Sequence, residues 1–297
     1  MKRIFYLIVC LVVLSCDKDD VSLSDDLKLE SYYALYMDYG PNIDPLYGTG
    51  ESFPLVQLEY SKNKLVRRKG DFLLIFNSLG YVFNSIFYKE IVDEISYSKN
   101  KIFIEKKSYS PNINQLHNRL RTIDLSGDGL MIKKTILELG EGGSSDIDTL
   151  ITLYTYDSEK LLKHTHSETR NSSYFEYFPD INGVKYFDDA EYYYSKDNLD
   201  SIVTIRRNFE EQTEIYKPNI KTVEVFSNYY NASNPTKNLF MFEETFKRSL
   251  SKNNYTSYKN SIYTYSNDGV LNSTPSSESG KTWEYAYDEE GNIILGL

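Results

Sequence analysis

The sequence predicts a mainly β protein, an antiparallel meander of repeated hairpins whose sheet is open or partly closed, with one or two short helices. Three observations predict it. Tyr and Phe number 28 and 15 in 297 residues, against 1 Trp, and aromatic side chains suit a pleated, half-buried surface. One turn pattern recurs along the chain: Tyr, then Ser or Asp, two or three polar residues, then an aliphatic residue. Apolar and polar residues partly alternate in short runs such as Ile202-Val203-Thr204-Ile205-Arg206 and Ile102-Phe103-Ile104-Glu105-Lys106, the period of a strand with one wet face.

The turn pattern fixes the order of elements. It occurs as Tyr60-Ser61-Lys62-Asn63-Lys64-Leu65, Tyr97-Ser98-Lys99-Asn100-Lys101-Ile102, Tyr156-Asp157-Ser158-Glu159-Lys160-Leu161 and Tyr194-Ser195-Lys196-Asp197-Asn198-Leu199. It returns as Tyr265-Ser266-Asn267-Asp268-Gly269-Val270 and Tyr287-Asp288-Glu289-Glu290-Gly291-Asn292-Ile293. Each copy reads as an aromatic strand, a reversal rich in Asn, Asp and Gly, and an aliphatic strand. Weaker versions start at Phe76, Ile123 and Tyr177. The uneven spacing makes this a degenerate repeat and not a regular solenoid. Two segments read as helical. Ser110-Pro111 opens a short one with Ile113, Leu116 and Leu120 on one face. Asn234-Pro235 opens a longer one with Leu239, Phe242, Phe246 and Leu250, ended by Ser251 to Asn254.

The N-terminus reads as an address. Lys2 and Arg3 precede the unbroken apolar run Ile4 to Leu14, too short for the roughly 20 residues that span a bilayer and suited to a signal peptide. The run ends in Val13-Leu14-Ser15-Cys16, which resembles the lipobox of bacterial lipoproteins. The resemblance implies residues 1–15 as signal peptide and Cys16 as the acylated (palmitate-bearing) first residue of the mature chain. Residues 16–28 then form an acidic tether, and residues 29–297 the β-rich domain. Asp17-Lys18-Asp19-Asp20 resembles the export signal of Bacteroidetes surface lipoproteins, which implies the outer membrane with the domain facing the cell exterior. An Asp directly after the Cys also resembles the proteobacterial inner-membrane retention rule, which leaves the periplasmic face as the alternative. Several acyl chains anchor a protein stably without a spanning helix. Cleavage removes two positive charges from a chain of net charge −10.

The last 70 residues or so resemble a family of Bacteroidetes lipoproteins with YD-like repeats. The resemblance is carried by Asn234-Pro235, Ser251-Lys252-Asn253-Asn254, Tyr263-Thr264-Tyr265 with Asp268-Gly269, and the ending Trp283 to Asn292. The Tyr-Asp-x-x-Gly-Asn element is also similar to the repeat of Rhs-type β-sheet proteins. These likenesses imply hairpins in a surface or periplasmic β domain, and no catalytic residue.

The residue inventory points away from most chemistry. A net charge of −10 disfavours nucleic acid as a partner. Cys10 leaves with the signal and Cys16 is spent on lipid, so thiol catalysis and disulfides drop out. Asp124-x-Ser126-x-Asp128-Gly129 copies the opening of a calcium loop, but its twelfth position is Thr135 where a bidentate Glu is needed; it reads as a hairpin. His164 and His166 share one strand face that Glu168 continues, and could hold a metal, but a third ligand cannot be placed from the sequence, where His117 is the only other His; they read as a solvated face. No carboxylate pair stands out among Glu176, Asp180, Asp188, Asp189, Glu191, Glu210 and Glu211, which read as surface charge. Gly140, Gly142 and Gly143 lie among acids that would repel phosphate. Asp148-Thr149-Leu150 and Asp200-Ser201-Ile202 resemble the O-glycosylation signal of Bacteroidetes, and read otherwise as strand residues. No cofactor and no metal site is expected.

Tyr-rich faces remain. Tyr174, Tyr177, Tyr192 and Tyr194 are the candidates for stacking on a ligand, against a plainer role in cross-strand pairing. The leading expectation is a non-catalytic binding or structural module on the cell surface, with a glycan or envelope-protein partner. The alternatives are a polysaccharide-active enzyme using a carboxylate pair, and a periplasmic assembly or protective lipoprotein.

Overall fold

The computed structural model describes residues 29–33, 55–76, 82–109, 120–138, 148–171, 183–287 and 293–294. Cys16, the segment opened by Ser110-Pro111, the glycines at 140–143, and Tyr174 and Tyr177 lie outside them. Fourteen strands form one antiparallel sheet in chain order, each between its sequence neighbours, so the meander and its open edges are as expected. They are β1 (Ser31–Tyr33), β2 (Leu55–Ser61), β3 (Lys64–Phe76), β4 (Val82–Ser98), β5 (Lys101–Ser108), β6 (Leu120–Leu125) and β7 (Met131–Glu138). The sheet continues through β8 (Asp148–Tyr156), β9 (Leu162–Asn171), β10 (Val184–Ser195), β11 (Asn198–Glu210), β12 (Ile215–Ser233), β13 (Asn253–Thr264) and β14 (Ser277–Thr282). A separate hairpin pairs β15 (Ala286–Tyr287) with β16 (Ile293–Ile294).

The repeated turns reverse the chain where the sequence places them. Ser61 faces Lys64 across Lys62 (φ 47°) and Asn63 (φ 64°), and Ser195 faces Asn198 across Lys196 (φ 53°) and Asp197 (φ 65°). Two left-handed central residues make the type I′ reversal that matches strand twist. Asp157 builds its turn with its own carboxylate, which accepts from the Glu159 and Leu161 amides at 2.9 Å each. The calcium-like stretch is a hairpin turn, closed by the Gly129 amide on the Ser126 carbonyl.

The tyrosines that enter three of the repeated turns, Tyr60, Tyr97 and Tyr156, have a physical purpose. Tyr97 donates its hydroxyl to the carbonyl of Leu65 (2.9 Å), the residue that leaves the preceding turn at that end of the sheet. Tyr156 does the same to Met131 (2.9 Å), and Tyr229 to Leu199. Tyr60 donates to Leu29 (3.0 Å). Successive turns are thereby stitched together, over buried Leu65, Ile102 and Leu199. Burial pushes the Tyr60, Tyr97 and Tyr156 phenols up to about 12, so they remain donors at neutral pH.

The β12–β13 connection carries the main correction to the sequence reading. The expected long helix is only α1 (Glu243–Ser249). Residues 234–242 are turns instead, because tertiary contacts override helical spacing. Asn234 uses its whole side chain: its Nδ2 donates to Arg248 (2.6 Å) and Ser251 (2.9 Å) carbonyls, and its Oδ1 accepts from the Thr236 amide and hydroxyl. Phe242 is extended (φ −103°, ψ 140°), which drops Leu239, Met241 and Phe242 onto one face of the sheet. There they meet Tyr32, Val56, Leu65, Ile95, Ile102 and Ile123. The far end of the segment is fastened to the Tyr194 turn. The Leu199 amide donates to Ser251 Oγ (3.0 Å), and the Asn253 amide to Asn198 Oδ1 (2.8 Å). The sheet thus wraps a plug supplied by its own chain.

Candidate ligand-binding cleft

Two places concentrate chemistry. The first is the buried surface of β3–β7 against the plug. The register shifts there between Lys69 and Asp71, a bulge at Gly70 (φ 95°), where a Cβ would meet Phe87 at 2.5 Å. The bulge brings Arg68 and Asp71, three apart, onto one face. Arg68, 1% exposed, reaches Asp93 (3.1 Å), Asp71 (3.4 Å), Tyr32 Oη (3.2 Å) and Glu244 of α1 (2.5 Å). Asp93 also accepts from Arg121 (3.3 Å), and Lys106 pairs with Asp71. Glu243 lies between Lys134 (2.7 Å) and Arg121 (3.6 Å). Burial would raise the Asp71 and Glu243 carboxyls, but Lys106 and Arg68 at the one, and Arg121 and Lys134 at the other, hold them well below the usual range. Burial, with Asp71 and Glu243 nearby, pushes Glu244 up. Every one of these charges is answered within the chain, so this network holds the plug.

The second place is a solvent-open cleft of about 610 Å³ where β12, β13 and β14 end, beside the root of the plug. Its described lining is Asn228, Tyr229, Tyr230, Thr256, Thr282, Trp283 and Glu284. Asn228 (φ 58°) and the register shift between Tyr229 and Ser233 splay β12. The Trp283 amide donates to the Thr256 carbonyl (3.0 Å) and pins the end of β14. Beneath the floor lies Arg248, with its guanidinium 4.4 Å from the Tyr255 ring, 4.9 Å from Trp283 and 5.9 Å from Tyr285. It also donates to the Tyr285 hydroxyl. Trp283 stands edge-on to Tyr255 (69°) and Tyr285 (86°), and Tyr230 edge-on to Tyr285 (71°). The cleft therefore offers braced aromatic rings and an amide, two threonines and one carboxylate.

The tyrosines singled out from sequence are elsewhere. Tyr192 is 7% exposed and packs with Leu162, Leu199 and Ile202, its hydroxyl 3.2 Å from Thr165 Oγ1. Tyr194 packs against the same cluster under the Lys163 ammonium, and its buried hydroxyl has no partner among the described residues. Both are on the plug side, in the core, and neither lines the cleft. The signals that mark the cleft are the single Trp and the adjacent Tyr229-Tyr230 pair, which the repeated turns overshadow.

His164, His166 and Glu168 do share a face, the one away from the plug, and ion pairs occupy it. His166 meets Asp189 (2.7 Å) and Glu168 (3.4 Å), Asp189 meets Arg207 (2.6 Å), and Glu168 meets Arg170. Among the described residues, no group of three or more His, Cys, Asp or Glu side chains is placed to hold a metal. Asp188 is held by Arg206 (2.8 Å), Glu210 by Lys217 (2.6 Å) and Glu191 by Tyr193. Thr149 and Ser201 lie within paired strands.

No family model and no curated protein matches the chain. Solved structures do. The chain is similar to two porin-like proteins. The one from Bacteroides vulgatus ATCC 8482 is 13% identical, with a TM-score of 0.47 over 83% of this chain and 87% of that one. The one from Bacteroides uniformis ATCC 8492 is 11% identical, with a TM-score of 0.43 over 83% and 84%. Among the described residues, no helix is long and apolar enough to cross a membrane.

Proposed function

We propose that this is a lipid-anchored protein of the cell envelope, held in the outer membrane through acylated Cys16 and facing the exterior, and that its β domain is a non-catalytic binding module of the YD-like lipoprotein kind. The observation that carries the reading is the cleft. Its rings are locked from behind, so little ordering is needed on binding, and Glu284 is the sole carboxylate of its described lining. Hydrolysis of a glycosidic bond by the common route needs two facing carboxylates. The outward face of β9–β11 supports an anchor over spanning strands. A membrane barrel carries an apolar band about 25 Å tall on that face, where this sheet carries His164, His166, Glu168, Arg170, Asp189 and Arg207.

Metabolic labelling with radiolabelled palmitate tests the anchor, and protease added to intact cells tests the face. The full chain should take up label and be cut by the protease, and Cys16→Ala should abolish labelling. An unlabelled chain would refute the anchor. Labelled chain cut only after the outer membrane is opened would place it on the periplasmic side.

A further inference from the structure

We infer that the cleft takes a neutral oligosaccharide. The inference rests on the reading of the domain as a binding module and names the class of its ligand. A pyranose has a face of C–H bonds and a rim of hydroxyls. The C–H face suits the negative face of an aromatic ring, and the hydroxyls need donors and acceptors close to that ring. The cleft provides both at once. Tyr230, 38% exposed, stands with Tyr229 and half-buried Trp283. Asn228, Thr256, Thr282 and Glu284 complete the lining with an amide, two hydroxyls and a carboxylate. Thr256 Oγ1 donates to the Asn228 carbonyl (2.9 Å), which ties two of these groups together.

Charge narrows the choice. Apart from the tyrosines, Glu284 is the one ionisable group in the described lining, and the whole chain is at −10. Arg248, which packs against Trp283, is 1% exposed and spent on Tyr255, Trp283 and Tyr285. Uronate and sulfated sugars would meet Glu284 with no cation in the described lining to answer them, whereas a carboxylate accepts well from the paired hydroxyls of an uncharged sugar. A volume of about 610 Å³ is within the roughly 300–1,000 Å³ of small-molecule sites, and the open form suits a short stretch of a longer chain.

The single Trp makes the test direct. The full mature chain in detergent is titrated with neutral gluco-, manno-, galacto- and chito-oligosaccharides, and with uronate oligosaccharides of the same length, following Trp283 emission and, independently, binding heat. At least one neutral sugar should give a saturable change by both methods, with the uronates at least tenfold weaker. Tyr230→Ala should weaken that binding at least tenfold while the chain stays folded, with a cooperative thermal transition and the circular dichroism spectrum of the parent. Absence of saturable binding to every neutral sugar would overturn the inference, as would equal affinity in Tyr230→Ala or preference for uronates. If labelling and surface exposure hold while all sugars fail, the oligosaccharide falls and the binding-module reading stands. New reducing ends released from a bound sugar would support the ligand class and overturn the non-catalytic reading.

Discussion

Strands β1–β7 and β8–β13 grip the same plug with different chemistry. In the first half, apolar residues such as Leu65, Ile95, Ile102 and Ile123 share the buried face with Arg68, Asp71, Asp93, Lys106, Arg121 and Lys134. In the second half the face is aromatic: Tyr192, Phe226, Tyr255 and Tyr258, with Tyr154, Tyr194 and Trp283 packed against them. Glu224, which accepts from Tyr258 (2.5 Å) and pairs with Lys247, is a buried charge there. The lesson concerns tolerance. A buried ion network depends on every partner being present, because each loss strands an opposite charge. An aromatic surface depends on area and volume, and a replacement of similar size is absorbed.

The sharpest way to break this contrast is Arg68→Ala. It removes the cation shared by Asp71, Asp93 and Glu244, and should cost about 3–5 kcal/mol in chemical denaturation. Loss of under 1 kcal/mol would mean that the network is not what holds the plug. Asn234→Ala leaves the Arg248 and Ser251 carbonyls and the Thr236 amide without their partner, and should cost about 2–3 kcal/mol. On the aromatic side Phe226→Leu should cost no more than about 1.5 kcal/mol.

Acid should separate the halves as well. Asp71 and Glu243 have folded values below their unfolded ones, so their contribution is complete above roughly pH 4.5 and is lost as pH falls toward the folded values. Glu244, raised, works the other way and blunts the loss. The unfolding midpoint should fall below pH 4.5, and the fall should be shallower in Glu243→Gln. A midpoint level from pH 7 to 3 would contradict the assignment. The smallest effect discriminates between two tyrosines of the same repeat. Tyr97→Phe should cost about 1 kcal/mol, since its hydroxyl holds Leu65. Tyr194→Phe should change stability by less than about 0.5 kcal/mol or raise it, because its hydroxyl is buried without a partner among the described residues.

How much of this is written in the sequence depends on the range of the interaction. The turns are local: Lys62-Asn63, Asp157 and Lys196-Asp197 specify their own backbone, and the strands between them follow. The meander and its order were therefore legible. The plug was not, because its form is set by Asn234 reaching 14 and 17 residues ahead and by Phe242 finding a sheet built from the first half of the chain. For the same reason nothing in the sequence singles out Arg68, Asp93 and Arg121; alternation gives a face and does not say that a distant segment will cover it. The cleft is built from the ends of three strands and the arginine of the plug, so Trp283 and Tyr230 become meaningful only once these are brought together.

The position of the plug in the chain also sets an order of events. Residues 234–252 follow twelve of the fourteen strands, so β1–β7 are made long before the segment that covers them. A fully apolar inner face would be adhesive during that wait. Arg68, Asp93 and Arg121 pair with one another on that face, and Lys134 adds a charge there that Glu243 answers when the plug arrives. The loop that Glu243 and Glu244 close over β1–β7 is a long one, and contacts so far apart in the chain are slow to form.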